Sequence, residues 1–260
     1  MVTQLIANDE ASDIFAGLDT RSIALLLDVD GTLVDIGPSP RDVQIGHDLP
    51  DSLVRLSQAT DGALALVSGR PIADLDALFA PLKLPAVGGH GAELRVRGGE
   101  TATSVAPLSP DLRRHLAAAA KLGPGIVIED KGYSLALHYR QAPQQEDRLR
   151  SHIAAGRATH PNEAIEVLPG KAVLEVKRPD VNKGDGVREL MRRPPFAGRM
   201  PVFVGDDVTD ESVFAILGEL GGKGFSVGRH FAGLDGIFNS PVDVRAALQR
   251  LAANQQVRGS

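Results

Sequence analysis

The sequence predicts an α/β protein: a parallel, Rossmann-like sheet interrupted by an inserted α+β module of order αββαββ. Three observations predict it. Apolar runs without polar alternation, at 23–27, 63–67 and 201–205, have the character of strands buried on both faces. Between them leucine and valine recur at helical spacing. Over 107–179 the buried runs give way to alternating strands and amphipathic helices, and beyond Pro179 the first pattern returns.

The first run stops on Asp28-Val29-Asp30-Gly31-Thr32. In an open α/β sheet the carboxyl ends of the strands border the crevice where ligands bind. Asp28 and Asp30 are two apart, so in an extended chain both side chains leave one face. Anions held that close repel unless a cation lies between them or one carries a proton. Both solutions suit phosphoryl transfer, and Mg²⁺ can bridge a carboxylate and a substrate phosphate. Gly31 permits a turn that a Cβ resists and lets its amide approach a phosphate oxygen. The plainer reading, that Asp, Gly and Thr end a strand and open a turn, stays open on this stretch alone.

Residues 48–60 carry leucine or valine at 49, 53, 54 and 56, a helix that Asp61-Gly62 ends. The second run stops on Ser68-Gly69-Arg70, and Pro71 takes a first helical position ahead of Ile72, Leu75, Leu78 and Phe79. Ser68 can cap that helix or donate to a phosphate oxygen. Residues 85–88 form a third short strand leading into Gly89-His90-Gly91-Ala92-Glu93, where His90 and Glu93 read equally well as turn residues. No glycine-rich dinucleotide or Walker pattern occurs.

In the inserted module, 111–122 is an alanine-rich helix, 133–139 alternates apolar with polar, and 144–155 is a second helix. Two strands, 164–168 and 171–177, flank Pro169-Gly170, which reads as their hairpin turn. On the last strand Ala172, Leu174 and Val176 share one face; Lys171, Val173, Glu175 and Lys177 share the other. The polar face is either the solvated side of an antiparallel sheet or a surface that reads a substrate.

Asn182-Lys183-Gly184 then precedes a helix with Val187, Leu190 and Met191. The run 201–205 ends on Asp206-Asp207-Val208-Thr209-Asp210-Glu211. Asp206 and Asp207 concentrate negative charge at a strand end, where a divalent cation offsets it best. Asp210 and Glu211 also suit the first turn of a helix. Lys183 is either a surface lysine or the cation that this anionic edge calls for. Residues 225–227 form a last short strand, and Ser240-Pro241-Val242-Asp243 starts a closing helix, with the tail after Asn254 expected to fray.

Composition narrows the function classes. The 260 residues, 43% hydrophobic and 23% charged, suffice for one large or two modest domains. A net charge of -5 argues against a general nucleic-acid binder. With no cysteine, disulfides and thiolate metal sites are excluded. The first thirteen residues lack a basic start and an apolar block, and no apolar run approaches the roughly 20 residues of a membrane span. The expectation is a cytoplasmic monomer with no membrane and no nucleic-acid partner.

Asp28-x-Asp30-Gly31-Thr32, Ser68, Lys183 and Gly205-Asp206-Asp207-x-x-Asp210 stand in the order and strand context of the four haloacid dehalogenase superfamily motifs. The insertion between the second and third resembles the α/β cap of the sugar-phosphatase branch. His90-Gly91-Ala92-Glu93, Glu129-x-Lys131-Gly132, Leu135-Ala136-Leu137-His138-Tyr139-Arg140, Val173-Leu174-Glu175-Val176 and Gly205-Asp206-Asp207-x-Thr209-Asp210-Glu211 resemble the trehalose-6-phosphate phosphatase family.

That resemblance implies a haloacid dehalogenase core over 1–106 and 180–260 and a cap over 107–179. Asp28 would be the nucleophile, forming an aspartyl-phosphate, and Asp30 the proton donor and then acceptor. Mg²⁺ would be held by Asp28, the Asp30 carbonyl and Asp206, with Asp207 or Asp210 in support. Ser68 and Lys183 would hold the phosphoryl oxygens, and Gly31, Gly69, Arg70 and Gly91 would border the substrate. Glu129, Lys131, Arg140, Lys171 and Glu175 would bind sugar hydroxyls, with His90 and Glu93 on the core side. The implied substrate is trehalose 6-phosphate. The rivals are a phosphatase of sucrose phosphate or a hexose phosphate, and a silent binding module on the same fold.

Overall fold

In the computed structural model, which describes residues 8–36, 45–46, 48–96, 98–103, 105–170, 172–179 and 181–258, elements follow in the order below. The first stretch holds α1 (Asn8–Ala16), β1 (Ile23–Leu27), α2 (Asp48–Ala59), β2 (Leu64–Val67), α3 (Ile72–Leu78), β3 (Ala86–Gly88), β4 (Glu93–Arg95) and β5 (Ala102–Thr103). The insertion holds α4 (Pro110–Ala117), β6 (Val127–Asp130), β7 (Leu135–His138), α5 (Glu146–Thr159), β8 (Glu166–Gly170) and β9 (Val173–Lys177). The return holds α6 (Lys183–Leu190), β10 (Met200–Gly205), α7 (Glu211–Leu217), β11 (Lys223–Val227), β12 (Gly236–Phe238) and α8 (Pro241–Arg258). Backbone contacts divide the chain into one unit of Met1–Ala102 with Asn182–Ser260 and a second of Thr103–Val181. Among the described residues no helix is long and apolar enough to cross a membrane.

The first unit is built on a sheet of order β12-β11-β10-β1-β2-β3-β4-β5. Pairing is parallel from β12 to β3, and β4 runs antiparallel to β3. The unalternated apolar runs have a direct cause: both faces of the sheet are covered. From β1, Ile23, Leu25 and Leu27 enter one core with Phe15, Leu53 and Leu248, from α1, α2 and α8. Ala24 and Leu26 enter the opposite core with Val187, Phe203 and Val213. Caps fix where helices begin. Asn182 accepts the Asp185 amide (2.9 Å) and so starts α6 at Lys183.

The second unit is an antiparallel sheet of order β6-β7-β9-β8. Leu112 and Leu116 of α4 and Leu149 and Ile153 of α5 pack with Leu135, Leu137, Leu174 and Val176. On the other face Ser134, Glu175 and Lys177 are buried rather than solvated. They are satisfied there: Glu175 accepts from Ser134, and Lys177 pairs with Glu166 at 2.7 Å.

Several expectations change. Pro169 and Gly170 are not the hairpin turn: both belong to β8, and Gly170 pairs with Val173. Ala172, just before β9, has a positive φ of 62°, and Pro169 is tolerated because β8 is an edge strand. The 111–122 helix changes to a 3₁₀ turn after Ala117. Strands β4, β5 and β12 and helix α1 were not foreseen, and α8 continues to Arg258 rather than fraying after Asn254. Asn254 Nδ2 there donates to the Ala16 carbonyl at 3.1 Å.

Leu26 has no exposed surface and sits between β2 and β10. Leu26→Ala is expected to lower the unfolding free energy by about 2–5 kcal/mol, read from denaturant melts. A loss below about 1 kcal/mol would contradict this account of the core.

Candidate active site

Parallel pairing sets the carboxyl ends of β2, β1 and β10 side by side. Ser68, Asp28 and Asp206 each follow their strand directly, so they share one edge. The ladder continues past the strand ends: the Asp28 amide donates to the Val204 carbonyl (2.9 Å) and the Ser68 amide to that of Val87 (2.8 Å).

Lys183, the first residue of α6, brings a cation to this edge. It is only 3% exposed, and its Nζ donates to Asp28 Oδ1 at 2.7 Å and to Asp210 Oδ1 at 2.6 Å. The surface-lysine reading therefore fails. Asp210 is fully buried, and its Oδ2 accepts the amides of Asp206 (2.9 Å) and Asp207 (3.0 Å). It binds Lys183 and shapes the loop that carries Asp206. Thr32 Oγ1 donates to Asp206 Oδ1 at 3.2 Å. Two glycines are required by close approach. A Cβ on Gly31, whose φ is 85°, would lie 2.1 Å from Asp206 Oδ2, and one on Gly205 would lie 2.5 Å from Asp210 Oδ2. Gly91 is constrained likewise, since a Cβ there would meet the Asn182 carbonyl at 2.1 Å.

Oxygens of Asp28, Asp206 and Asp210 all lie within 4.8 Å of one another. One ammonium, that of Lys183, stands against these three carboxylates, which leaves net negative charge at the edge. Burial pushes Asp28 well above the usual carboxylate range; Lys183 opposes this, and Asp210 and Asp206 add to it. Asp206 is pushed up to about 6, first by burial and then by Asp210. Burial alone would discharge Lys183, but Asp210 and Asp28 hold it charged and raise its pKa. An all-oxygen donor set with uncompensated charge suits a hard divalent cation. Asp28 and Asp206 are the better ligands, because both Asp210 oxygens are already engaged.

The other expected residues are distributed as follows. Asp207 stands outside that cluster: its Oδ1 accepts the Val208 amide at 2.7 Å and lies 4.0 Å from Arg229. The Asp30 side chain does not join Asp28 either, since Arg70 takes it with Nε to Oδ2 (2.7 Å) and a terminal nitrogen to Oδ1 (2.6 Å). Ser68 does not cap α3; its Oγ accepts the Arg70 amide at 3.1 Å. Glu93 does that work instead, with Oε2 2.6 Å from the Ile72 amide. His90 has a φ of 56°, and its ring lies where a Cβ on Gly69 would be, at 2.5 Å.

In the second unit, Lys131 Nζ lies 3.3 Å from Glu175 Oε2, and Ser134 Oγ donates to Oε1 at 2.6 Å. His138 Nε2 lies 2.8 Å from Glu129 Oε2, and this hydrogen bond holds Glu129 below its ordinary range. Sequence reading missed Ser134 and His138 as the hydrogen-bond partners of Glu175 and Glu129. The signal was present, because they occupy the polar positions of an alternating strand beside Glu175. Arg140 is exposed in the turn after β7, and Lys171 lies outside the described residues.

Comparison with known proteins gives one answer. A family model described as trehalose-phosphatase matches residues 26–232. Trehalose-6-phosphate phosphatase of Escherichia coli (strain K12) is 38% identical over 242 residues, covering 90% of each chain. A probable trehalose-phosphate phosphatase of Sinorhizobium fredii is 38% identical over 265 residues, covering 99% of this chain and 95% of that one. In fold, the chain is similar to the C-terminal domain of C. albicans trehalose-6-phosphate phosphatase, with a TM-score of 0.75 at 24% identity over 93% of this chain and 96% of the other.

The raised pKa of Asp206 has a consequence for stability. Its contribution is complete below the ordinary value of 3.8 and is lost as pH rises through about 6. Asp206→Asn keeps the acceptor for Thr32 and cannot ionise. In chelator at pH 7.5 this variant is expected to be more stable than the wild type by about 1–2 kcal/mol, discounted for partial exposure. The gap should close toward pH 4, and a gap independent of pH would contradict the assignment.

Proposed function

The chain belongs to the trehalose-phosphatase family, and we propose that it uses the carboxylates at the end of β1 to hydrolyse trehalose 6-phosphate to trehalose and phosphate. It is a phosphoric monoester hydrolase, and its substrate is a small sugar phosphate. What supports the reading most is one observation: Asp28 sits at the buried meeting point of Lys183, Asp206 and Asp210.

In this reading the Asp28 oxygen attacks phosphorus in line, and its new P–O bond forms as the bond to the sugar oxygen breaks. Asp30 gives a proton to the departing oxygen and later takes one from the water that hydrolyses the aspartyl-phosphate. Ser68 and the Lys183 ammonium donate to the phosphoryl oxygens as charge shifts across them. Lys183 is charged throughout the physiological range, because its carboxylate partners raise its pKa. Asp210 touches no substrate; it orients Lys183 and the amides that carry Asp206. Mg²⁺, held by Asp28 and Asp206, would supply the missing positive charge and polarise the phosphate. The reading assigns sugar hydroxyls to Glu129, Lys131 and Glu175, together with Arg140 and Lys171. Charged partners left unpaired reject a sugar that lacks the matching hydroxyl.

The test is phosphate release from trehalose 6-phosphate in chelator and after Mg²⁺ is restored. Release is expected only with the ion, and Asp28→Asn should lower it by about a thousandfold or more while trehalose 6-phosphate still binds in calorimetry. Full activity in that variant would remove Asp28 as nucleophile. Glucose 6-phosphate turned over as fast as trehalose 6-phosphate would overturn the substrate assignment.

A further inference from the structure

We infer that Arg70 is a positioning residue for Asp30, aiming the proton donor at the leaving oxygen rather than binding the substrate itself. The inference rests on the reading of Asp30 as general acid. Asp30 stands on the loop that leaves β1, where its side chain is 39% exposed. At that exposure, packing alone does not fix the carboxylate. The guanidinium does. Its Nε meets Asp30 Oδ2 at 2.7 Å and a terminal nitrogen meets Oδ1 at 2.6 Å, a planar two-point grip that leaves the carboxylate one orientation.

The grip is useful only if Arg70 is itself held, and it is. Its amide donates to Ser68 Oγ at 3.1 Å, and its carbonyl accepts the Gly89 amide at 2.9 Å. Its side chain is 13% exposed. Arg70 thereby ties the Asp30 loop to the ends of β2 and β3. A lone surface ion pair is worth little, but a two-point pair on a fixed backbone sets the plane of the carboxylate. Arg70 carries no proton in the reaction, since guanidinium does not deprotonate in proteins. The proton moves from Asp30 to the sugar oxygen, which keeps the electron pair of the broken P–O bond.

A proton donor matters in proportion to how poor the leaving group is. p-Nitrophenolate departs without a proton, whereas a sugar alkoxide does not. The ratio kcat/KM reports steps up to that departure, so it isolates the protonation from later hydrolysis of the aspartyl-phosphate. Arg70→Met is expected to lower kcat/KM on trehalose 6-phosphate by about 10- to 100-fold, with a loss on p-nitrophenyl phosphate at least about tenfold smaller. Arg70→Lys, which keeps charge without the fork, should fall between. In an Asp30→Asn background, Arg70→Met should cost less than about threefold more on trehalose 6-phosphate, because its effect passes through Asp30. Equal losses on the two substrates, in Arg70→Met or in Arg70→Lys, would overturn the inference. So would a loss that multiplies in the Asp30→Asn background, which marks Arg70 as a direct ligand of the phosphate or sugar. If the wild type hydrolyses p-nitrophenyl phosphate and not trehalose 6-phosphate, the substrate reading falls. The same comparison then runs on the alkyl phosphate that it does hydrolyse.

Discussion

The ammonium of Lys183 lies in the interior between Asp28 and Asp210, and most of the site follows from keeping it there. A buried cation without partners would be discharged by desolvation. Two carboxylates hold it charged, and removing one member of such a cluster costs about 3–5 kcal/mol because the others are left uncompensated. The helix that delivers it is held equally closely. A Cβ on Gly184 would lie 2.2 Å from the Ser212 carbonyl, and one on Gly186 would lie 2.5 Å from the Val87 side chain. Thus α6 packs against α7 and β3 with no slack, and the ammonium arrives at a fixed point on the sheet edge.

Holding Lys183 creates the opposite imbalance. Once Asp206 is drawn in beside Asp28 and Asp210, anionic charge exceeds cationic charge, and burial raises Asp28 and Asp206 above their ordinary range. An all-oxygen cluster with excess anionic charge suits a divalent cation. Asp30 lives differently, half-exposed and gripped by Arg70. Two aspartates two positions apart therefore face unlike partners, and separate environments are what allow two carboxylates to take separate roles.

Much of this was legible because buried parallel strands leave a strong trace. Unalternated apolar runs marked β1, β2 and β10, and the residues that stop those runs are the ones the sheet gathers at one edge. The order of the inserted elements was legible from the change of period. Less visible were the short edge strands β4, β5 and β12, whose two or three residues show no periodicity. Side-chain partners were least visible. Asp210 suits a first helical turn, yet it is the buried acceptor that joins Lys183 to the Asp206 loop. Glu93 read equally well as a turn residue or as a sugar ligand, and its acceptance of the Ile72 amide at the start of α3 was not visible. Pro169-Gly170 suggested a reversal, yet both residues pair within the β8–β9 ladder. Each depends on a distant segment or on pairing register, neither of which local spacing encodes.

The claim that anionic charge exceeds cationic charge at this edge can be measured without turnover. Calorimetric titration of the protein with Mg²⁺ at pH 7.5 should give saturable binding of one ion per chain in the wild type and no measurable heat for Asp206→Asn. Absence of binding to the wild type, or equal binding by the variant, would contradict the account.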